Sequence, residues 1–325
     1  MRALLIVNPN ATSTTPAARD LLAHALESRL RLTVAHTLHR GHAGELAAWA
    51  AAEGIDLIVV HGGDGTVNET VNGFLHAPDF SADHPAPTGW VPQIAVLPGG
   101  SANVFARSLG IAADPVVATN QLIDLLAMNQ RRRIGLGYAD NRWFMFNAGM
   151  GLDAMVCEAI DHGRNAGRTA TPTRYVATAV RTFFQTKRHE PTLTVALPDR
   201  EPVNGVHYAF VSNASPWTYL NSRPVHTNPG TSYDSGLGVF AMRTMAVLPS
   251  LRVSGQLLRV GAQPSGRRLL RIDDTDRVVI RSATPIALQI DGDYLGQREE
   301  MTFRSVPNAL EVMAPPTPEP AQPKP

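Results

Sequence analysis

His61-Gly62-Gly63-Asp64-Gly65-Thr66-Val67-Asn68-Glu69 lies between Ile55-Asp56-Leu57-Ile58-Val59-Val60 and Thr70-Val71-Asn72-Gly73-Phe74. The upstream flank is apolar and β-rich, and reads as a buried parallel strand. The downstream flank reads as the start of a helix. Glycines at a strand-to-helix turn let the backbone approach a ligand closely. They also leave N–H groups free for phosphate oxygens at the positive helix end. An acid between the glycines repels phosphate unless a metal ion stands between them, or it polarises a hydroxyl. The local chemistry points to a nucleoside triphosphate and phosphoryl transfer. The competing reading is a tight turn that binds nothing.

Working outward, the first third alternates strand and helix. Strands are predicted at Ala3–Val7, Leu32–Thr37, Ile55–Val60 and Ile94–Leu97, with helices at Pro16–Arg29 and Gly44–Ala52. Pro16 suits a first helical turn. Such alternation implies a parallel sheet covered by helices on both faces, with nucleotide at the carboxyl ends of the strands. The stretch from Ala77 to Gln93 is Pro-rich and reads as an exposed loop. After about Asn129 short β-like runs dominate: Arg142–Asn147, Leu193–Leu197, Tyr208–Ser212, Val239–Met242, Arg277–Arg281, Ile286–Ile290 and Met301–Arg304. Turn residues separate them, as in an antiparallel sandwich or barrel. One helix is predicted over about 172–186. The expected architecture is an α/β domain over 1–129, Rossmann-like in its parallel sheet, and an antiparallel β-sandwich domain over 130–313. A tail over 314–325, rich in Pro, Glu and Gln, is expected to be disordered. The last strands are free to return to the first domain.

Bulk properties narrow the class. The chain has 325 residues and a formal net charge of +1, so no global field favours nucleic acid. Cys157 is the single cysteine, which leaves no intramolecular disulfide or cysteine-based zinc site and favours a reducing, cytoplasmic setting. The N-terminal apolar run ends at Asn8-Pro9 and reads as a first strand, not a signal peptide. No uninterrupted apolar run is long enough to span a bilayer. His36, His39 and His42 do not follow a zinc spacing, and His61 reads as a hydrogen-bonded structural residue.

The glycine turn is one of an ordered set. Asn8-Pro9-Asn10-Ala11 ends the first strand, and Gly41-His42-Ala43 follows the second, with Thr37 four residues before the glycine. Leu97-Pro98-Gly99-Gly100-Ser101-Ala102-Asn103-Val104-Phe105-Ala106-Arg107 ends the fourth. Asn147-Ala148-Gly149-Met150-Gly151-Leu152-Asp153-Ala154 opens the second half, and Asp291-Gly292-Asp293 comes near the end. In this order and spacing they resemble the bacterial diacylglycerol kinase family, which includes sphingosine and ceramide kinases. The resemblance runs from residue 1 to about residue 313. The Gly-Gly-Asp-Gly-Thr core alone also resembles NAD kinases and phosphofructokinases; the ordered set is more specific.

The resemblance implies a two-domain kinase that holds ATP and Mg²⁺ in the cleft between its domains. Carried over residue by residue, Asn8, Asn10 and Thr37 line the nucleotide site. Gly62, Gly63, Asp64, Gly65 and Thr66 hold the phosphates, with Asn68 and Glu69 close by, and Ser101 stands where the family usually has threonine. Asp293 takes the place of the family's general base, usually glutamate, and Asp291 beside it is a candidate metal ligand. Asp64 is assigned to catalysis as well. Val104 stands where aspartate is common. The loop Tyr233-Asp234-Ser235-Gly236-Leu237 has fewer acids than relatives use for a second Mg²⁺, and Asp234 is its remaining candidate ligand. Asp291-Gly292-Asp293 is also what a plain hairpin turn looks like.

The leading expectation is therefore transfer of the γ-phosphate of ATP to a lipid hydroxyl, with diacylglycerol first among acceptors. A sphingoid base or another hydroxyl compound, or an inactive nucleotide-binding regulator, are the alternatives. Asp64→Asn and Asp293→Asn are expected to remove turnover and leave the fold. A lipid acceptor requires peripheral membrane contact. Arg174, Arg181, Lys187 and Arg188, on the basic and apolar segment 174–188, are candidates for it, although a helix packed on the β-domain has the same pattern. A homodimer is compatible with the sequence, and nucleic acid is not an expected partner.

Overall fold

A computed structural model describes residues 1–11, 16–165, 182, 190–220, 222–259, 261 and 263–317. Apart from residue 182, the helix expected over 172–186 lies outside the described residues, together with its basic positions. So does the tail from 318 on. The chain divides into two compact units: 1–75, 89–134 and 310–325 form the first, and 76–88 with 135–309 form the second.

In the first unit the order is β1 (Arg2–Val7), α1 (Pro16–Glu27), β2 (Arg31–His36), α2 (His42–Ala52), β3 (Leu57–Gly62), α3 (Asp64–Phe74), β4 (Gln93–Pro98), α4 (Val104–Ser108) and α5 (Pro115–Ala127). β5 (Arg132–Ala139) leads out of it. The strands lie parallel in the order β4-β3-β1-β2. β3 and β4 are buried along their whole length, as a strand covered on both faces must be. β2, at the edge, is mostly exposed. The chain returns at its end: Val312 pairs in parallel with Ile94, Met313 N–H donates to the Ile94 carbonyl at 2.9 Å, and Glu311 meets Arg131 at 3.4 Å.

Two helices of this unit touch through glycine. A Cβ on Gly73 of α3 would lie 2.2 Å from the Gly44 carbonyl oxygen of α2, so α3 has no room for a side chain there. α5 begins with Pro115 after Asp114, whose side chain accepts from the amides of Val116 and Val117.

The second unit continues with β6 (Arg142–Phe144), β7 (Asn147–Met150), α6 (Leu152–Asn165), β8 (Leu193–Ala196), β9 (Val203–Val206) and β10 (Tyr208–Ser212). Next come β11 (Thr218–Leu220), β12 (Arg223–Val225), β13 (Gly238–Met242), α7 (Val247–Leu257), β14 (Leu269–Ile272) and β15 (Arg277–Ile290). β16 (Asp293–Val312) closes the order, crossing to the first unit after Ala309. The order β14-β13-β10-β7-β15 is antiparallel throughout, and β15 turns into β16. β8 attaches to the first half of β15 and carries β9 on its other edge, and β7 attaches to the last residues of β15. A register shift between Arg281 and Ile286 separates the two halves. The core is largely aliphatic, with Val195, Val239, Ile280 and Leu288 in one cluster with Phe144 and Phe303.

The fold class expected from sequence is borne out: an N-terminal α/β unit followed by a strand-rich one. Three details differ. The division falls at Ile134–Gly135 and not at 129–130. Residues 76–88, read as a loop of the first domain, go with the second unit, where Phe80 packs against Tyr138 and under the Arg304 guanidinium. The strand read over Arg142–Asn147 is broken after Phe144, because the next three amides are held by a carboxylate described below.

Candidate functional site

In the first unit the carboxyl ends of β1, β3 and β4 are in register: Val7 is opposite His61, and His61 is opposite Leu97. The residues that follow each strand therefore emerge side by side. Asn8 joins two of them. Its N–H donates to the His61 carbonyl at 3.0 Å, its Nδ2 donates to Thr66 Oγ1 at 3.0 Å, and its Oδ1 accepts from the Asn10 amide at 3.0 Å. His61 is buried and its Nδ1 lies 3.3 Å from the Leu97 carbonyl. Burial lowers its pKa, against the pull of the Leu97 carbonyl.

The turns after β3 and β4 are pressed together. Gly99 N–H donates to the Gly62 carbonyl at 2.9 Å. A Cβ on Gly100 would stand 2.8 Å from Gly63 Cα, and one on Gly62 would stand 2.8 Å from Thr66 Cβ. At Gly65 a Cβ would meet nothing within 4 Å. The glycines thus serve different ends: Gly100 permits close backbone approach, Gly62 makes room for the Thr66 side chain, and Gly65 leaves open space over the first turn of α3. Amides of a first helical turn have no partner within the helix and attract anions.

Asp64 and Asn103 hold this arrangement. The Asp64 carboxylate accepts from Val104 N–H and Phe105 N–H, each at 3.0 Å, which locks the start of α3 to the start of α4. Burial raises its pKa above the ordinary carboxylate value, against the pull of those two amides and of Arg107. Asn103 adopts a left-handed conformation at φ 49°; its Oδ1 accepts from Gly100 N–H at 2.8 Å and its Nδ2 donates to the Gly100 carbonyl at 2.7 Å. Asn103 lies inside a motif singled out from sequence, but its role there had no sequence signal.

The other nucleotide candidates fall at different distances from these turns. Asn10 and Ser101 are exposed beside them. Thr37 is buried, with its N–H donating to the Val7 carbonyl at 2.9 Å, four residues before the left-handed Gly41 that precedes α2. Asn68 is wholly buried inside α3 and takes an Asn72 Nδ2 contact at 3.2 Å, while Glu69 is half-buried one residue on.

In the second unit Asp291 and Gly292 are the central residues of the hairpin between β15 and β16, both with positive φ, 47° and 83°. Asp291 is 5% exposed and its carboxylate accepts from the amides of Met145, Phe146 and Asn147 at 2.8, 3.0 and 3.1 Å. Asn147 in turn accepts from Gln289 Nε2 at 2.9 Å and donates to the Trp217 carbonyl at 3.1 Å. Asn213 Nδ2 donates to the carbonyls of Gly135 and Met145, both at 3.0 Å. Asp293 leaves this turn half-buried and pairs with Arg142, Nη2 to Oδ2, at 2.8 Å. Sequence reasoning missed Arg142, Gln289 and Asn213: an arginine and two amides in β-like runs carry no motif of their own.

The expected metal ligands receive other work or none that favours a metal. Three amides occupy the Asp291 carboxylate. Asp234 is exposed in a loop that Ser232 and Ser235 organise, and its own N–H donates to Ser232 Oγ at 3.2 Å. Among the described residues no three of His, Cys, Asp and Glu converge as a metal-binding group.

Comparison with known proteins agrees with the geometry. Residues 2–138 match the family model of the diacylglycerol kinase catalytic domain. Over 154 residues the chain is 32% identical to a protein named Diacylglycerol kinase from Bacillus subtilis (strain 168), covering 46% of each chain. That match spans about half the length of the curated relative. A protein named Probable lipid kinase YegS-like from Stenotrophomonas maltophilia (strain K279a) is 27% identical over 317 residues, 91% of each chain. A crystal structure of a putative diacylglycerol kinase from Bacillus anthracis str. Sterne superimposes with a TM-score of 0.75 over 97% of both chains, at 20% identity. The last similarity speaks to fold. The resemblance drawn from the ordered motifs is borne out.

Proposed function

We propose that this chain, a relative of the diacylglycerol kinases through residues 2–138, is an ATP-dependent phosphotransferase that phosphorylates a lipid alcohol. The observation that carries the reading is the pair of interlocked glycine turns at the carboxyl ends of β3 and β4, with open space at Gly65. A triphosphate suits that space: backbone amides and the α3 terminus neutralise it without bulky side chains. Thr66 and Ser101 offer hydroxyls at these two turns, and Asn10 offers an amide after β1, whose end is in register with that of β3. Asp64 acts in this reading by positioning, since both its oxygens hold the second turn in place. Asn68 and Glu69 support α3.

The donor set suits a Mg²⁺ that arrives on the triphosphate, not one caged by protein: Mg²⁺ commonly takes only one or two carboxylates besides phosphate and water. When bound it neutralises phosphate charge. Asp293 is the proposed general base, receiving the proton of the acceptor hydroxyl. Arg142 orients it, and the Asp291 turn fixes its place at the start of β16. Diacylglycerol, giving phosphatidic acid, is the acceptor we place first. A sphingoid base is second, because the relative matched over 91% of its length is named a lipid kinase with no acceptor specified. Such an acceptor makes the protein a peripheral membrane enzyme of the cytoplasm, contributing to phospholipid biosynthesis as monomer or homodimer. Among the described residues no helix is long and apolar enough to cross a membrane.

Nucleotide binding is tested by thermal melting. ATP with Mg²⁺ at one hundred times its dissociation constant should stabilise the protein by about 2.7 kcal/mol. A melting curve that saturating ATP does not move, in the presence of Mg²⁺, would remove the basis of the proposal.

A further inference from the structure

We infer that α7 and the strand hairpin beside it form the surface by which this protein docks on an anionic lipid bilayer. The inference rests on the lipid-acceptor reading for its purpose, but its observations are separate. From Arg243 to Ile272 the sequence holds six arginines and no acidic residue, in a chain whose net charge is only +1. Arg243, Arg252, Arg259, Arg267 and Arg268 are all exposed. Among the described residues none of these five is ion-paired.

α7 has two different faces. Val253 is 5% exposed and packs with Phe210, Phe240 and Met242, and Leu257, one turn on, packs against the same cluster. At 3.6 residues per turn the opposite face carries Leu248, Leu251 and Arg252, and the exposed Arg259 follows two residues past the helix end. Leu248 and Leu251 are 81% and 63% exposed. Two outward leucines beside an outward arginine, with a second arginine just past the helix end and no acid, is the pattern of a helix lying in a membrane interface: the apolar groups enter the acyl boundary while the cations meet anionic headgroups. The hairpin of β11 and β12 extends the patch. Arg223 Nε donates to the Leu258 carbonyl at 2.9 Å at the end of α7, and Leu220 at the hairpin turn is exposed. A second copy is a poor occupant, because a two-fold contact through this face would set arginine against arginine.

The surface is also joined to the candidate catalytic turn. Beneath α7, Trp217 stacks on Phe210 at 4.9 Å, and the Trp217 carbonyl accepts from Asn147, a residue of the turn that Asp291 holds. Docking through α7 therefore places the bilayer over the aromatic cluster that borders Asn147.

The test uses the full chain and vesicles of phosphatidylcholine alone or mixed with an equal part of phosphatidylglycerol. Co-sedimentation should show binding to the anionic vesicles, weakened by salt, and little to the neutral ones. The double variants Leu248→Glu/Leu251→Glu and Arg252→Glu/Arg259→Glu should each bind at least about tenfold more weakly. Their melting temperatures should match the parent, since these side chains touch no core. Both variants should phosphorylate a short-chain, water-soluble diacylglycerol at the parent rate and lose about tenfold or more on long-chain acceptor in anionic vesicles. Absent binding by the parent, or unchanged binding by both variants, overturns the inference. So does a variant that only shifts the oligomeric state in size-exclusion chromatography. Vesicle binding that follows these expectations without phosphate transfer to any lipid would sustain the docking surface and sink the kinase reading.

Discussion

Replacing Asp293 by asparagine should lower phosphate transfer to lipid by about 10²- to 10⁴-fold, the usual contribution of a positioned general base. Asparagine keeps the shape and still offers Arg142 an oxygen, so the 2.8 Å contact between them has a substitute. What it removes is the ability to take a proton. ATP affinity should stay near the parent value, because the proposed triphosphate contacts are made by the glycine turns and not by Asp293. The discriminating variant is Arg142→Gln. If arginine acts by orienting the carboxylate, its loss should cost less in kcat than Asp293→Asn, and Arg142→Lys should restore part of it. Single-turnover kinetics with saturating ATP reads both. A near-normal rate in Asp293→Asn would end the assignment of Asp293 as base.

Gly100→Ala and Gly65→Ala should behave oppositely in stability and alike in function. The added methyl at Gly100 would stand 2.8 Å from the Cα of Gly63, a backbone atom that cannot rotate away. The turns must separate, at a cost of about 1–3 kcal/mol in stability. A displacement of that kind at the phosphate site costs on the order of 100-fold in transfer. At Gly65 the same methyl meets no protein atom within 4 Å, and alanine is a better helix former by about 1 kcal/mol. Stability should therefore hold or rise. The methyl nevertheless projects into the space proposed for the triphosphate, so ATP affinity should fall. Calorimetric ATP titration beside thermal melting separates the two effects. ATP affinity at the parent value in Gly65→Ala would move the phosphates elsewhere.

The sequence was most legible where physics is local. Apolar runs ending in glycine at Val60 and Leu97 identify buried parallel strands, and the structure has β3 and β4 there. Their turns had to meet once the strands were in register. What could not be read was which groups fill which hydrogen bonds. Asp64 and Asp291 looked like ligands for metal or phosphate, since acids beside glycine often are. In the structure their carboxylates close backbone amides from segments far away in sequence, 40 and 144 residues in the shortest cases. Asp64→Asn cannot then leave the fold untouched, as the sequence reading expected. Its amide nitrogen would face a backbone N–H, and an unmet buried donor costs about 1–3 kcal/mol.

Long strands were equally hard to see. Ser282-Ala283-Thr284-Pro285 reads as a turn, yet β15 runs through it. Its register shift lets a proline sit where the ladder is already interrupted. β16 likewise passes Pro307 and Asn308, with Asn308 at φ 53°, and so extends far beyond the Met301–Arg304 run that sequence marks. Pairing partners distant in the chain, and not local propensity, decide such elements.

The most direct test of the central claim is transfer of radiolabelled γ-phosphate from ATP with Mg²⁺ to a panel of lipids in mixed micelles. The panel holds diacylglycerol, monoacylglycerol, sphingosine and ceramide, with NAD as an outgroup. The parent protein should yield labelled phosphatidic acid, and Asp293→Asn almost none. Bound ATP with no label on any lipid would contradict that claim.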